Sequence, residues 1–323
     1  MSRSIRDIKA DNEIDDLLLK HWLSPVRHGF VEVGEDNHCV PVNYKQYEEK
    51  LDKFEVRESD IYLIAHPKTG STWAQELLWL ISHNFDYEGA KENVVERFPN
   101  IELAVHIERD KPFKQIDYMT FLENLPNPRC LRSHLHWSLL PEQIRDGTKK
   151  PKIFGIIRRP EDVCISYYHY VKLMDGYKGS FEDFCRLFLA GRTCYGPFWK
   201  TVLSVWNQRH LPNVFILKYS EMKKDLKAVI REVAKFLERD VNEEAVEELA
   251  KHLHFDSMKE NPAVNFSKYI GGFAKKYNLT TADTAFIRRG IDGGYKMEMT
   301  QEQIESFKKW TQENIQGTGL EIE

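Results

Sequence analysis

D-I-Y-L-I-A-H-P-K-T-G-S-T-W, residues 60–73, joins a short apolar run to a small polar loop and then to the start of an amphipathic segment. The apolar run, residues 61–65, is typical of a buried strand in a parallel sheet. Apolar side chains at helical spacing predict a helix over residues 71–83. Because the first N–H groups of a helix have no internal partner and its dipole favours an anion there, this order of elements predicts a phosphate-binding loop.

The loop between the strand and the helix has the side chains that such a site needs. Gly70 lets the backbone approach a ligand, Ser71 and Thr72 add hydroxyl donors, and Lys68 adds a mobile positive charge beside Thr69. A Walker A loop has the pattern G-x-x-x-x-G-K-[ST], with its Lys after the second Gly. Here Lys68 precedes a single Gly, which disfavours the use of an ordinary nucleoside triphosphate.

The segment P-K-T-G-S-T-W, residues 67–73, resembles the 5′-phosphosulfate-binding loop of the cytosolic sulfotransferases, which usually reads P-K-S-G-T-T-W. The alternative is a polar turn before a helix, but the preceding buried strand and the following Trp73 favour the phosphate loop. The resemblance implies that residues 68–73 contact the cofactor 3′-phosphoadenosine 5′-phosphosulfate (PAPS). It also implies that Trp73 stacks on the adenine.

A second motif, R-R-P-E-D-V-C-I-S-Y-Y-H-Y at residues 158–170, again follows an apolar run and enters a predicted helix. Pro160 suits the first helical turn. Arg158 offers a planar, permanently charged fork for phosphate, and Ser166 a hydroxyl. The segment resembles the family's 3′-phosphate site, in which an Arg and a Ser also stand eight positions apart. An exposed Arg pair at a helix start is the alternative interpretation.

The third motif, R-R-G-I-D-G-G-Y-K at residues 288–296, resembles the family signature R-K-G-x-x-G-D-W-K. Basic residues beside glycines suit a loop that wraps a phosphate. The resemblance implies that Arg288, Arg289 and Gly290 bind phosphate, since Arg289 keeps the charge of the usual Lys. Gly294 and Tyr295 depart from the usual Asp and Trp, and a mobile basic loop is the alternative.

A fourth motif, L-R-S-H-L at residues 131–135, is similar to the family segment K-T-H-L, whose His is the general base. The resemblance therefore assigns the base to His134, with Arg132 in place of the usual Lys. A His suits this role because its ordinary pKa lies near neutrality. His66, His106 and His136 are weaker candidates. No pair has metal-site spacing and no carboxylate cluster accompanies them, so no metal is predicted.

Two further aromatic residues follow from the resemblance. Tyr219 and Phe255 match positions that contact the adenine. Leu253 stands where the family commonly has a hydroxyl residue, so one hydrogen bond to the adenine is expected to be missing.

Composition sets the class of protein. The chain has 323 residues, of which 41% are hydrophobic and 30% charged, as in ordinary globular proteins. A net charge of -4 gives no sign of nucleic-acid binding. A charged N-terminus and the absence of a long apolar run argue against a signal peptide or a membrane span. Five scattered cysteines indicate reduced thiols and hence a cytoplasmic protein.

Strands that alternate with helices predict a single α/β domain, with a central parallel β-sheet flanked by helices. We expect this sulfotransferase domain over residues 41–323. Residues 1–40 are expected to be a loosely attached N-terminal extension with a short helix around residues 13–22. Residues 84–127 lack a clear period and predict a lid or binding loop. Further strands are predicted at residues 130–132, 152–157 and 214–218, and further helices at 43–54, 160–173, 181–189 and 225–237.

Together these motifs predict in-line transfer of a sulfuryl group from PAPS to a hydroxyl or amine of a small, largely apolar acceptor such as a phenol, steroid, catecholamine or retinoid. The other product is 3′-phosphoadenosine 5′-phosphate (PAP). His134 would take the acceptor proton, while Lys68 and Arg132 supply positive charge, so no metal is needed. We expect neither nucleic acid nor membrane as partner. The family's dimer segment K-x-x-x-T-V-x-x-x-E has Gln301 in place of its central Val, which predicts a monomer or a weak homodimer.

Three alternatives remain open at this stage. One is a P-loop-like small-molecule kinase, and another is a nucleotide-binding protein without turnover. The third is an enzyme of the same fold that sulfates an allylic, retinol-type alcohol and then eliminates sulfate, giving net dehydration. The identity of the acceptor cannot be read from the sequence, and the aromatic candidates for its pocket are equally suited to the core: Phe98, Tyr118, Phe121, Trp137, Tyr168, Tyr170 and Phe198.

Overall fold

The computed structural model describes residues 3–103, 117–277, 286–287 and 290–322. Its strands are β1 (Ile5–Asp7), β2 (Phe30–Val33), β3 (His38–Pro41), β4 (Ile61–Ile64), β5 (Cys130–Ser133), β6 (Lys152–Ile157) and β7 (Val214–Lys218). Its helices are α1 (Glu13–Trp22), α2 (Tyr44–Asp52), α3 (Ser71–Ser82), α4 (Val94–Arg97), α5 (Tyr118–Glu123), α6 (Glu142–Arg145), α7 (Pro160–Met174), α8 (Phe181–Leu189), α9 (Phe198–Trp206), α10 (Tyr219–Lys224), α11 (Leu226–Phe236), α12 (Glu243–His252), α13 (Phe255–Glu260), α14 (Ser267–Tyr277) and α15 (Gln301–Ile315).

Within these described residues, a four-stranded sheet has the order β5-β4-β6-β7, and each neighbouring pair is parallel. Strand β4 is buried on both faces, as its apolar run predicts. Successive side chains of a strand point to opposite faces, and Tyr62 and Ile64 accordingly join one apolar cluster while Ile61 and Leu63 join the other. The predicted α/β fold with a parallel sheet and flanking helices is therefore confirmed.

A helix begins directly after three of these strands, at the edge where their carboxyl ends meet. Helix α3 follows the polar loop after β4, α7 follows β6, and α10 follows β7. Pro160 occupies the first turn of α7, as expected, and two acidic side chains follow it there. In open parallel sheets this edge is where ligands bind.

The N-terminal segment differs from the expected loose extension. Helix α1 forms where it was predicted, but it packs beside an antiparallel sheet of β1, β2 and β3 on the main apolar cluster. Trp22 is completely buried, and Arg27 forms a buried ion pair with Asp175 at 3.1 Å. The polar composition concealed this attachment, because only one face of α1 is apolar. The domain boundary at residue 40 remains a prediction.

Two other predicted features lie partly outside the described residues. The described parts of residues 84–127 contain the short helices α4 and α5, and residues 104–116, with His106, are not described. Arg288 and Arg289 of the third motif also lie outside. Among the helices that are described, none combines the length and the apolar content that a membrane span requires.

Candidate active site

A cavity of about 990 Å³ opens at the carboxyl edge of the sheet. Its walls come from the loop before α3, the ends of β5 and β6, and the starts of α7, α10 and α13. The structure thus gathers motifs that are far apart in the sequence. The predicted site residues on its walls are Lys68, Gly70, Ser71, Thr72, Trp73, Arg132, His134, Arg158, Ser166, Tyr219, Phe255 and Gly290.

The loop before α3 has a backbone conformation that requires glycine at one position. Gly70 has φ +105°, in the left-handed region, and directly precedes the helix. A Cβ atom at Gly70 would lie 2.8 Å from Cδ2 of Tyr219. Lys68 also has a positive φ of 70°. The loop is therefore shaped to bring backbone, rather than side chain, against the cavity.

Thr69 is the predicted loop residue that does not reach the cavity. It is fully buried, and its hydroxyl donates a hydrogen bond to the carbonyl oxygen of His66 at 2.8 Å. The structure therefore places its side chain behind the loop, where it holds the turn.

Lys68 projects its ammonium group between two aromatic rings. The nitrogen Nζ lies 4.1 Å from the ring centroid of Phe286 and 4.7 Å from that of Tyr170. Cations are attracted to ring faces at such distances. This places the charge of Lys68 in a partly apolar part of the cavity, where it is screened less than in water.

Arg158 connects three parts of the site. Its guanidinium donates to the carbonyl oxygens of Lys68 and Ile291, each at 3.2 Å, and lies 4.2 Å from the ring centroid of Tyr219. Its Nε atom is buried without a hydrogen-bond partner among the residues described. Ser166 faces the same cavity from two turns along α7.

The segment after Gly290 is anchored to α7 by one carboxylate. Asp162 accepts hydrogen bonds from the backbone N–H groups of Gly293, at 2.7 Å, and Tyr295, at 2.9 Å. Tyr295 is itself buried in the main apolar cluster. The departure from Trp at this position therefore leaves an aromatic ring packed in the core.

Aromatic rings form the far end of the cavity. The rings of Trp73 and Tyr219 meet edge to face with centroids 5.6 Å apart, and Nε1 of Trp73 donates to the carbonyl oxygen of Leu253 at 3.0 Å. Phe255 packs directly against Gly290, which has a positive φ of 59°. A Cβ atom at that glycine would overlap the Phe255 ring. The sequence did not predict that the backbone of Leu253, whose side chain is buried, would fix the indole ring.

His134 follows the end of β5 and is 8% exposed. Its Nδ1 atom lies within hydrogen-bond distance of the carbonyl oxygen of Ala65, at the end of β4. A carbonyl oxygen can only accept, so Nδ1 carries the hydrogen and Nε2 keeps the lone pair. Burial, and then the positive charge of Arg132, hold the pKa of His134 well below its ordinary value. The ring is therefore neutral at physiological pH.

Glu102 is a residue of the site that sequence reasoning missed. It is completely buried, and its carboxylate accepts the backbone N–H of His134 at 2.7 Å and the hydroxyl of Ser133 at 3.0 Å. Burial raises the pKa of Glu102. No motif surrounds this residue, and only its contacts reveal that it holds the end of β5.

Arg132 is held by another unpredicted residue. Its Nη1 atom donates to Oε1 of Gln75 at 3.1 Å, and the amide of Gln75 donates to the carbonyl oxygen of Phe98 at 2.8 Å. Gln75 lies on α3 and is nearly fully buried. The guanidinium is thus fixed beside the phosphate loop rather than being free to leave it.

The weaker histidine candidates do not line the cavity in the part of the chain that the structure describes. His66 packs against aromatic rings, and burial lowers its pKa to about 3.

Of the aromatic candidates for the acceptor pocket, Phe98 and Tyr170 line the cavity. The others pack in or against the main apolar cluster: Tyr118, Phe121, Trp137, Tyr168 and Phe198.

The geometry can be compared with known proteins. The family model described as sulfotransferase domain matches residues 58–319. Luciferin sulfotransferase of Photinus pyralis is 39% identical over 99% of this chain and 89% of that protein. Amine sulfotransferase of Oryctolagus cuniculus is 32% identical, over 85% of this chain and 86% of its own.

Solved structures agree with these relatives. A retinol dehydratase in complex with retinol and PAP has a TM-score of 0.88 at 25% identity, covering 100% of this chain and 99% of that one. Mouse sulfotransferase SULT7A1 complexed with PAP has a TM-score of 0.64 at 25% identity, covering 87% of this chain and 92% of its own. The chain therefore belongs to the sulfotransferase family of enzymes.

Proposed function

We propose that this enzyme transfers the sulfuryl group of PAPS to a hydroxyl or amine group of a small, largely apolar acceptor. The observation that carries the proposal is the position of His134, whose lone pair is defined by the Ala65 carbonyl, in the same cavity as the phosphate loop. PAP in the structures of two neighbours supports this nucleotide.

The loop and the arginine fit an adenosine bisphosphate. Gly70, where a Cβ atom would collide with the ring of Tyr219, lies at the N-terminus of α3, where backbone N–H groups favour an anion. The buried Nε of Arg158 has no partner in the described protein, so it is available to a phosphate oxygen. Trp73 and Tyr219 offer apolar rings for the adenine.

When bound, PAPS supplies the sulfuryl group and leaves as PAP. His134 would accept the acceptor's proton at Nε2 as the acceptor oxygen or nitrogen attacks sulfur. The lowered pKa of His134 keeps this nitrogen unprotonated in the free enzyme and also makes the ring a weaker base than an ordinary His. Lys68 and Arg132 place positive charge beside the phosphate loop and would stabilise the charge that develops on the leaving phosphate. We infer that no metal takes part in this step, since these cations supply the positive field.

The proposed acceptor part of the cavity is largely aromatic, with the ammonium group of Lys68 between two of its rings. Phe98, Tyr170 and Phe286 are on its walls. Neighbours in complex with retinol and with androsterone, and the relative named luciferin sulfotransferase, support a flat or elongated hydroxyl compound. We therefore propose a phenol, steroid, catecholamine or retinoid as the acceptor class.

One alternative is favoured by a specific observation. The retinol dehydratase matches the whole chain at a TM-score of 0.88, against 0.64 for the mouse sulfotransferase. An allylic alcohol could thus be sulfated and then lose sulfate, for net dehydration. The mass of the product separates the two outcomes, because a sulfate ester is heavier and a dehydrated product lighter than the acceptor.

The surroundings proposed for the enzyme follow from its surface and its thiols. All five cysteines are buried and free, which supports a reducing cytoplasm.

On α15, Gln301 donates a hydrogen bond to Glu305 on the same helix. A polar pair at the place of the family's apolar dimer contact supports a monomer or a weak dimer.

Two measurements test the proposal. PAP should raise the melting temperature strongly and ATP much less, because Arg158 and Ser166 would contact the 3′-phosphate that ATP lacks. Incubation with sulfur-labelled PAPS and the acceptor panel, in the presence of a chelator, should then transfer label. Equal stabilisation by ATP, together with a need for magnesium, would instead support a kinase. Nucleotide binding without any turnover across the panel would support a binding protein.

A further inference from the structure

Three side chains that commonly bind metals meet beside the hairpin of β2 and β3. Asp36, His38 and His136 each offer one ligand atom, and these atoms lie within 4.8 Å of one another. Asp36 lies in the turn between the strands, His38 begins β3, and His136 follows β5. None of the three lines the nucleotide cavity described above.

His38 presents an unsatisfied nitrogen to this cluster. Its side chain is only 2% exposed, the backbone of Gly196 hydrogen-bonds its ring, and Nε2 has no partner in the described protein. The hydrogen-bonded nitrogen is therefore Nδ1. Nε2 is then the nitrogen that is left for a ligand. A metal-binding His typically has this arrangement.

His136 faces both of the other residues. Its ring stacks on that of His38 with centroids 4.0 Å apart, and its Nε2 lies 3.9 Å from Oδ2 of Asp36. Nδ1 lies 2.8 Å from the hydroxyl of Ser138 and also accepts the backbone N–H of that residue at 3.1 Å. Because Nδ1 accepts, Nε2 carries the hydrogen in the metal-free ring, so binding of a metal at Nε2 would move that hydrogen to Nδ1 and replace the bond from the Ser138 N–H by one to the Ser138 hydroxyl.

The carboxylate of Asp36 already has a charged partner. Asp36 is the acidic residue of the cluster, and its Oδ1 atom lies 3.0 Å from Nζ of Lys200. That ion pair is largely exposed and is weak competition for a divalent cation.

We propose that Asp36, His38 and His136 form a zinc site, with water as the fourth ligand. Two imidazole nitrogens and one carboxylate oxygen suit Zn²⁺ and are a poor set for Mg²⁺ or Ca²⁺. Ligand atoms about 2 Å from a tetrahedral zinc are about 3.3 Å apart, so the cluster has to contract by about 1.5 Å at most. Asp36 lies in a partly exposed turn and can move towards the ion. Because the two rings stack and a lone pair lies in the plane of its ring, the ring of His136 also has to turn before both nitrogens point at one ion.

The metal would connect the N-terminal hairpin to the segment that carries His134, two residues before His136. The three residues lie outside the nucleotide cavity, so we expect zinc to change stability and not sulfuryl transfer. Sequence reasoning predicted no metal because the first two ligands are far from the third along the chain. The prediction of metal-free sulfuryl transfer is unaffected, because that reaction uses other residues.

Zinc titration of chelator-treated enzyme tests the proposal. Calorimetry should show one Zn²⁺ per chain and the melting temperature should rise, and Co²⁺ should give the visible absorption of a tetrahedral site. Asp36→Asn and His136→Gln should each weaken zinc binding at least tenfold. His169→Gln is the matched control, because His169 also lies beside a carboxylate, that of Glu298 at 2.9 Å, but is not a member of this cluster. Buried cysteines give no competing surface thiols.

The same variants can also refute the proposal. Zinc affinity unchanged in both Asp36→Asn and His136→Gln would overturn it, as would the absence of saturable binding to the unaltered enzyme. An equal rise in melting temperature with Mg²⁺ would also contradict it, because imidazole ligands discriminate against that ion. Both substituted positions are at least partly exposed, so the folded variants can be checked by circular dichroism.

Discussion

His134→Asn removes the proposed base while keeping the hydrogen bond that orients it. The Asn amide can still donate to the carbonyl of Ala65, in place of Nδ1, but no lone pair remains at the position of Nε2. Loss of a positioned base typically lowers the rate about 10²–10⁴-fold, or about 3–5 kcal/mol of transition-state stabilisation. PAP affinity should change little, since the residues proposed to hold the nucleotide lie elsewhere on the cavity wall.

His134→Ala gives a second measure of the same site. It leaves the buried Ala65 carbonyl without this donor, which costs about 1–3 kcal/mol of folding free energy. The two variants should therefore differ in melting temperature and lose a similar amount of turnover. If His134 were only a packing residue, activity would follow stability and the Asn variant would be the more active.

The assay compares acceptors of graded acidity. Turnover by both His134 variants should fall more for an alcohol than for an acidic phenol, because a phenol of low pKa needs less help to lose its proton. Lys68→Ala should show little dependence on acceptor acidity, since Lys68 is proposed to act on the leaving side. A well-folded His134→Asn enzyme with near-normal turnover of an alcohol would refute the reasoning.

Three further substitutions test other parts of the site. Gly70→Ala should lower the free energy of unfolding by about 1–2 kcal/mol through left-handed strain, and it should also weaken PAP binding in calorimetry, because the new Cβ would displace the ring of Tyr219. Gly147→Ala has similar strain but open space, so it should lower stability alone, and equal PAP affinity of the two variants would contradict the reasoning. Glu102→Ala should lower kcat up to about 10²-fold and leave PAP affinity unchanged, because His134 loses the acceptor of its backbone N–H. Glu102→Gln keeps that acceptor, so its kcat should be close to that of the unaltered enzyme. Equal kcat values in the two variants would show that Glu102 does not position His134. Burial lowers the pKa of His66 to about 3, so between about pH 6.5 and pH 3 the unfolded state binds one more proton than the folded state, and the free energy of unfolding falls as the pH decreases. In His66→Phe, urea titrations should show a dependence of the free energy of unfolding on pH that is smaller by about 1.4 kcal/mol per pH unit. The same dependence in both proteins would contradict the assignment.

Local patterns predicted the central sheet and the nucleotide loop because both depend on contiguous residues. The four apolar residues of β4 are buried on both faces, so a continuous run is sufficient to identify the strand. The same holds for the loop of residues 66–72, whose conformation and proposed phosphate binding depend on its own backbone. The prediction of α3 was confirmed to within one residue.

Features built from distant residues could not be predicted in this way. Trp22 lies in a largely polar segment, and only its ring contacts with Phe30 and Tyr167 show that the segment belongs to the core. In the sequence, nothing distinguishes Glu102 from other acidic residues, and only its contact with His134 in the structure shows its role. In both cases the position of the residue depends on a contact between elements that are far apart in the chain, and a single sequence does not reveal such contacts.

The start of β4 shows how such a contact reaches the chemistry. Asp60 is completely buried and accepts two hydrogen bonds from the guanidinium of Arg129, at 2.8 and 2.6 Å. Removing one partner of a buried pair costs about 3–5 kcal/mol, because the other charge is left without compensation. This pair lies where β4 and β5 begin, and it supports the register in which Ile61 is opposite Cys130.

That register determines the position of His134, the proposed base. It brings the N–H of Ala65 to the carbonyl oxygen of Ser133 at 3.0 Å, and so places the next residue, His134, beside the carbonyl of Ala65. A slip of one residue between the two strands would turn His134 to the other face of the sheet. The ion pair at one end of β4 thus helps to select which nitrogen of His134 carries the hydrogen at the other end, and hence whether the ring can act as a base.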